Sequence, residues 1–109
     1  DIFCPTLKGN MPDCGSIGLL IENTTGIKSI NNFGKPSDLM TSYINQILDK
    51  TQKKTVVGDR IHTDIELGKK LGADTILVCS GEYQHSDGQN NKINNTEIYN
   101  TLTDYLKTI

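Results

Sequence analysis

Thr55-Val56-Val57-Gly58-Asp59-Arg60-Ile61-His62-Thr63-Asp64 is the stretch whose reading decides the fold. The β-branched run at its start reads as a buried strand, Gly58 lets the chain turn, and Thr63 with Glu66 has the spacing of a capping box that opens a helix. Two carboxylates, Asp59 and Asp64, therefore share one strand-to-helix turn. In a parallel α/β sheet that turn lies at the carboxyl edge, where ligands bind, so Asp59 is expected to face a crevice rather than the core.

The flanks extend the pattern. The helix that follows spans about 63–71, with Ile65 and Leu71 inward and Gly72 as its stop. Thr75-Ile76-Leu77-Val78-Cys79 is a continuous apolar run of strand length, as expected for a second parallel strand covered on both faces. Upstream of the central strand, Leu39, Met40, Tyr43, Ile44, Ile47 and Leu48 recur as adjacent pairs every four residues, which marks an amphipathic helix. Pro36 has a fixed φ and Ser37 or Asp38 can cap that helix, so Lys35 sits just before its start.

The ends of the chain are less regular. Residues 1–12 are rich in Pro, Gly and Asn and read as a loop leaving a strand edge. Asp13 is a good N-cap for a helix over roughly 14–24, with Gly26 as its stop, and residues 28–33 can form a short strand. Residues 82–96 are polar and Asn-rich and read as a long surface loop. Glu97-Ile98-Tyr99 can add a short edge strand, and Leu102, Tyr105 and Leu106 share one face of a closing helix.

At 109 residues with 35% hydrophobic and 22% charged, the composition is that of a globular domain or part of one. A net charge of −2 without a basic stripe removes the electrostatic footprint of a nucleic-acid binder. No apolar run reaches the roughly 18 residues of a membrane span, and no charged-then-apolar leader is present. Cys4, Cys14 and Cys79 are odd in number and unrelated in spacing, with no CxxC, so they read as reduced thiols in a cytoplasmic protein. The chain opens on Asp1, and Ile2-Phe3-Cys4-Pro5 resembles the end of a strand, which suggests a fragment.

Several motifs coincide in order: Gly34-Lys35-Pro36-Ser37, then Val57-Gly58-Asp59-Arg60 with Thr63-Asp64-Ile65, then Gly72-Ala73 and Thr75-Ile76-Leu77-Val78 ending at Gly81. Together they resemble the haloacid dehalogenase (HAD) superfamily, specifically its C2-capped phosphatases of the NagD, 4-nitrophenylphosphatase and phosphoglycolate phosphatase types. The resemblance runs from residue 1 to about 107. It implies a three-layer, Rossmann-like α/β core, a parallel sheet with helices on both faces. Residues 1–109 would form the C-terminal half of that core. The family's opening strand carries DxDGT, whose first Asp attacks phosphorus, followed by a Ser/Thr motif and a cap; none of these occurs in this sequence. The implied core is therefore incomplete.

The family's chemistry is covalent: an aspartate displaces the alcohol from a phosphate monoester and water then releases phosphate. Charge crowds at the phosphoryl oxygens, so the site needs a hard cation with oxygen ligands and a fixed ammonium. By this resemblance Asp59 would bind Mg²⁺, Lys35 would contact the phosphoryl group, and Asp64 would orient Lys35 or a metal-bound water. Lys35 and Asp64 are the catalytic candidates, Lys35 and Arg60 the substrate-binding ones, and Asp59 the metal ligand. Arg60 either contacts substrate or lies on the rim, and Asp64 reads equally well as a first-turn residue favoured by the helix dipole. His62 lies in the turn with no nucleophile motif near it and reads as exposed polar surface. Cys79 ends an apolar run and reads as core. Ser80, Gly81 and Glu82 follow a strand on the same edge as Asp59, and loop termination accounts for them.

The implied function is a Mg²⁺-dependent phosphomonoester hydrolase, to which this chain brings the lysine and metal-binding aspartate motifs but no nucleophile. Its substrate would be a small phosphorylated metabolite, a nucleotide monophosphate, sugar phosphate or phosphoglycolate. The isolated chain is expected to be inactive. The competing reading is an inert fragment or a non-enzymatic α/β module that binds metal or phosphate. A receiver-type signalling module fits less well, since there the lysine follows the aspartate, and no GxGxxG supports a dinucleotide fold. The strand bearing Asp59 would pair with the missing nucleophile strand; left open, that edge favours self-association and hence a homo-oligomer.

Overall fold

In a computed structural model the chain is described at residues 1–29, 31–49, 51–84 and 92–109. It divides into two compact units, Asp1–Gly34 and Lys35–Ile109.

The first unit opens with a β-hairpin, β1 (Phe3–Thr6) antiparallel to β2 (Gly9–Pro12), where the sequence suggested only a loop. Gly9 adopts φ 117°, a conformation that glycine reaches without penalty, and Thr6 Oγ1 donates to the Gly9 carbonyl at 2.7 Å. Helix α1 (Cys14–Thr25) starts and stops where expected. The Asp13 carboxylate accepts from the Cys14 N–H at 2.6 Å, and Gly26, at φ 72°, closes the helix by donating to the Glu22 carbonyl. The Gly15 N–H and the Ser16 hydroxyl donate to the carbonyls of Asp1 and Ile2, which ties the start of α1 to the first residues of the chain. No strand forms over residues 28–29 or 31–33, and Ile30 lies outside the described residues.

The second unit is a mixed sheet with helices. Helix α2 (Asp38–Ile47) is capped by Ser37, whose hydroxyl accepts from the Met40 N–H at 3.2 Å. Strand β3 (Thr55–Gly58) runs parallel to β4 (Asp74–Val78), and β4 runs parallel to β6 (Thr96–Tyr99). The two-residue strand β5 (Lys92–Ile93) adds antiparallel to β6, giving the order β3-β4-β6-β5. Asn94 makes the β5–β6 turn at φ 54°, which Asn tolerates better than most residues. So part of the presumed 82–96 loop is a hairpin, and β6 is an inner strand rather than an edge. Residues 85–91 of that loop lie outside the described residues.

Strand β3 is the end strand of this sheet and pairs with β4 alone among the described residues, the edge that the sequence reading left open. The core sits along β4: Leu77, wholly buried, packs with Ile65 and Ile98, while Ile76 and Val78 are buried beside it. Helix α3 (Glu66–Lys70) covers β3 and β4, with Leu67 and Gly68 buried, and Leu71 and Gly72 end it. A Cβ on Gly68 would strike Thr75 Cγ2 and come within 3.1 Å of Val56 Cβ, so the missing side chain sets how closely α3 approaches the sheet. Helix α4 (Leu102–Leu106) starts at a reciprocal capping box between Thr101 and Asp104. In α2 only Met40 and Ile44 of the apolar positions are half-buried; Leu39, Tyr43, Ile47 and Leu48 are exposed. No helix among the described residues is long and apolar enough to cross a membrane.

Candidate active site

The carboxyl edge of β3 and β4 brings together Lys35, Asp59, Arg60, Asp64 and Glu82. Asp59 follows β3 directly. A π-helical turn, Ile61–Ile65, then leads into α3. The amides of Asp64 and Ile65 both donate to the Arg60 carbonyl, so this helical segment begins two residues before the expected start at Thr63. The capping box does not form: Thr63 is buried inside the turn, and its hydroxyl has no hydrogen-bond partner among the described residues.

Asp64 does the organising instead. Its Oδ2 accepts from the backbone N–H groups of both Asp59 and Arg60 at 3.2 Å, while its Oδ1 accepts from Lys35 Nζ at 2.5 Å. The Asp64 side chain is 9% exposed and that of Lys35 is 50% exposed, so the ammonium keeps water on one side. Gly58 makes this possible, because a Cβ there would occupy the place of the Asp64 side chain. Lys35 arrives from the segment just before α2, and the start of that helix is tied to α3 by Lys70 Nζ and Asp38 Oδ1 at 2.7 Å. That contact lies in full water, and its effect on Asp38 is to lower the carboxyl pKa.

Asp59 is held from the other side. The Glu82 N–H donates to Asp59 Oδ2 at 2.7 Å and the Tyr83 N–H to the Asp59 carbonyl at 3.1 Å. Asp59 Oδ1 has no hydrogen-bond partner among the described residues. Arg60 turns its Nε to Glu82 Oε2 at 2.5 Å. His62 is exposed, and Cys79 is half-buried against the core. Sequence reasoning thus brought Lys35, Asp59, Arg60 and Asp64 to one place and left out Glu82 and Gly81. Their position after a strand on the same edge was the one signal that could have found them. Among the described residues no group of three or more His, Cys, Asp or Glu could hold a metal ion by itself.

A family model, HAD-hydrolase-like, matches residues 32–105. The chain belongs to this family. Dihydroxyacetone phosphatase of Corynebacterium glutamicum is 30% identical over 105 residues, 95% of this chain and 38% of that protein. Ribonucleotide monophosphatase NagD of Escherichia coli is 36% identical over 75 residues, 68% of this chain and 30% of that protein. Among solved structures, p-nitrophenyl phosphatase from Archaeoglobus fulgidus superposes with a TM-score of 0.75 at 28% identity, covering 100% of this chain and 44% of that one. The chain spans about two fifths of the length of the first of these relatives. These comparisons agree with the NagD and 4-nitrophenylphosphatase resemblance and with a HAD-like α/β fold.

Proposed function

We propose that this chain supplies the lysine and cation-binding side of a HAD-type phosphomonoester hydrolase, the nucleophile coming from a part of the protein that the chain does not contain. The observation that carries this reading is the convergence of Lys35, 29 residues upstream of Asp64, with Asp59 and Asp64 on one sheet edge, within direct hydrogen-bonding reach of one another or of the shared turn. Asp64 fixes the Lys35 ammonium in one place. An ammonium already oriented stabilises charge developing on a phosphoryl group without reorganising during the reaction. The turn itself brings backbone N–H groups and a buried carboxylate, so its shape is set before substrate arrives.

The donor set at Asp59 fits a magnesium ion in part. Asp59 offers a carboxylate oxygen that no donor among the described residues occupies, and carboxylate oxygen suits a hard cation. One such ligand agrees with magnesium's habit of keeping several waters and taking few protein ligands. When bound, the ion would neutralise phosphoryl charge. This chain's own part is to hold that oxygen still, to place Lys35, and to leave the remaining ligands to the rest of the protein.

The substrate class that fits is a small phosphomonoester, a sugar phosphate or a nucleotide monophosphate among them; Arg60, the other substrate-side candidate, is paired with Glu82.

The test is hydrolysis of 4-nitrophenyl phosphate with Mg²⁺, by the chain alone and by the chain combined with the portion of the Archaeoglobus protein that it does not match. Turnover only in the combination, abolished by Asp59→Ala, is the expected result. No turnover with both parts folded would favour the inert metal- or phosphate-binding module.

A further inference from the structure

Residues 80–84 leave the end of β4 and fold back onto the Asp59 turn, where three contacts hold them. The Glu82 amide donates to Asp59 Oδ2, the Tyr83 amide donates to the Asp59 carbonyl, and the Arg60 guanidinium grips the Glu82 carboxylate. Arg60 and Glu82 are 17% and 30% exposed in their side chains, so this ion pair is largely shielded. Gly81 belongs to the same arrangement: a Cβ there would overlap the Asp59 carboxylate, so the backbone can lie against it only at a glycine.

We propose that the Arg60–Glu82 ion pair is a positioning device for Asp59. It holds Gly81 to Tyr83 against the turn, so that the Glu82 amide always takes Oδ2 and the carboxylate presents Oδ1 to the cation. This rests on the metal-dependent phosphatase reading above and adds two residues to it.

The physical case has three parts. An aspartate following a strand can rotate about its side-chain bonds, and a short amide-to-carboxylate hydrogen bond removes that freedom on one oxygen. The amide belongs to a segment that leaves the sheet, so it needs its own anchor, and an arginine–carboxylate pair is the strong, directional choice. Pairing also cancels the Glu82 charge, which would otherwise compete with Asp59 for the cation and repel a phosphate dianion. Arg60 thereby acts through Glu82 rather than on substrate.

The experiment uses this chain, labelled with ¹⁵N and combined with the unlabelled remainder of the Archaeoglobus protein, as wild type, Glu82→Gln, Arg60→Glu, Glu82→Arg and the charge-swapped double variant. Two quantities are read: the Mg²⁺ concentration giving half-maximal 4-nitrophenyl phosphate turnover, and hydrogen exchange at the residue-82 amide. Partners that orient a metal ligand typically change affinity or activity by 10- to 100-fold, so each single variant should raise the half-saturating Mg²⁺ by about tenfold. For Glu82→Gln, which leaves no uncancelled negative charge, the KM for substrate at saturating Mg²⁺ should stay within about twofold, since uniform substrate binding is untouched. The residue-82 amide should exchange faster in each single variant while β4 amides stay protected, and the swap should restore both readouts.

If exchange accelerates and the Mg²⁺ dependence does not move, the pair only pins a loop and the proposal is overturned. A raised KM with unchanged Mg²⁺ dependence also overturns it, in favour of Arg60 as a substrate contact. Failure of the swap to restore Mg²⁺ dependence, with β4 protected, does the same. Absence of turnover in the wild-type combination removes the phosphatase reading and this inference with it, an outcome distinct from the others because no variant is involved.

Discussion

Asp64→Asn and Asp64→Ala should differ in severity, and the difference can be worked from three hydrogen bonds. Oδ1 of Asp64 accepts from Lys35 Nζ, while Oδ2 accepts from two backbone amides at 3.2 Å. An asparagine keeps its carbonyl oxygen for the two amides but turns an NH₂ toward the ammonium, donor against donor. Lys35 is half exposed and recovers water, so the charged bond should be discounted to about 1 kcal/mol. Alanine also strands both amides in a half-buried turn, at about 1 kcal/mol each, for a total of about 3 kcal/mol. Native-state hydrogen exchange at Leu77, wholly buried at the centre of the sheet, reads these losses. Acceleration should be about fivefold for Asp64→Asn and about 150-fold for Asp64→Ala, at 1.4 kcal/mol per tenfold. Equal effects of the two substitutions would refute the reasoning, because they would mean that the backbone bonds to Oδ2 contribute nothing.

Two further outcomes follow from packing. Gly68→Ala should destabilise the second unit by about 1–3 kcal/mol, the usual penalty of overpacking, because its Cβ would meet Thr75 Cγ2 and Val56 Cβ; an unchanged urea midpoint would contradict this. The chain alone should self-associate through the open side of β3 and the exposed apolar positions of α2, as unpaired edges do. Sedimentation velocity would show mass rising with concentration, whereas a monomer at every concentration with a cooperative melt would rule it out.

The parts of the fold that the sequence made legible are those where one local rule had no competitor. Asp13 and Gly26 bound α1, Ser37 caps α2, and the apolar run of β4 is buried on nearly every residue. The illegible parts are those where a distant partner decides. The β1–β2 turn is Leu7-Lys8, without the Asn-Gly or Asp-Gly signal that announces a two-residue hairpin, so Gly9 and the pairing across it were hidden. Thr63 was read as a cap because Glu66 lies three residues on. In the structure Asp64 outbids it: a carboxylate satisfies two turn amides and a lysine, and the chain winds into a π-helical turn beneath it. Glu82 stood on the right edge but read as loop termination, since the partners that give it a role lie 22 and 23 residues upstream.

Asp59 and Asp64 are the same side chain on one turn, five residues apart, and the difference in what they can do lies in their lone pairs. A carboxylate has two oxygens and about four acceptor sites. Asp64 is buried with both oxygens engaged, one by an ammonium and one by two amides, so it is tied to Lys35 and to the turn at once. Asp59 gives one oxygen to the Glu82 amide, and its other oxygen meets no donor among the described residues. That asymmetry comes from where the backbone N–H groups point. The π-helical turn aims those of Asp59 and Arg60 at Asp64, and residues 80–84, folding back from β4, aim that of Glu82 at Asp59. Two aspartates of one motif therefore meet two different hydrogen-bonding environments at the ends of β3 and β4.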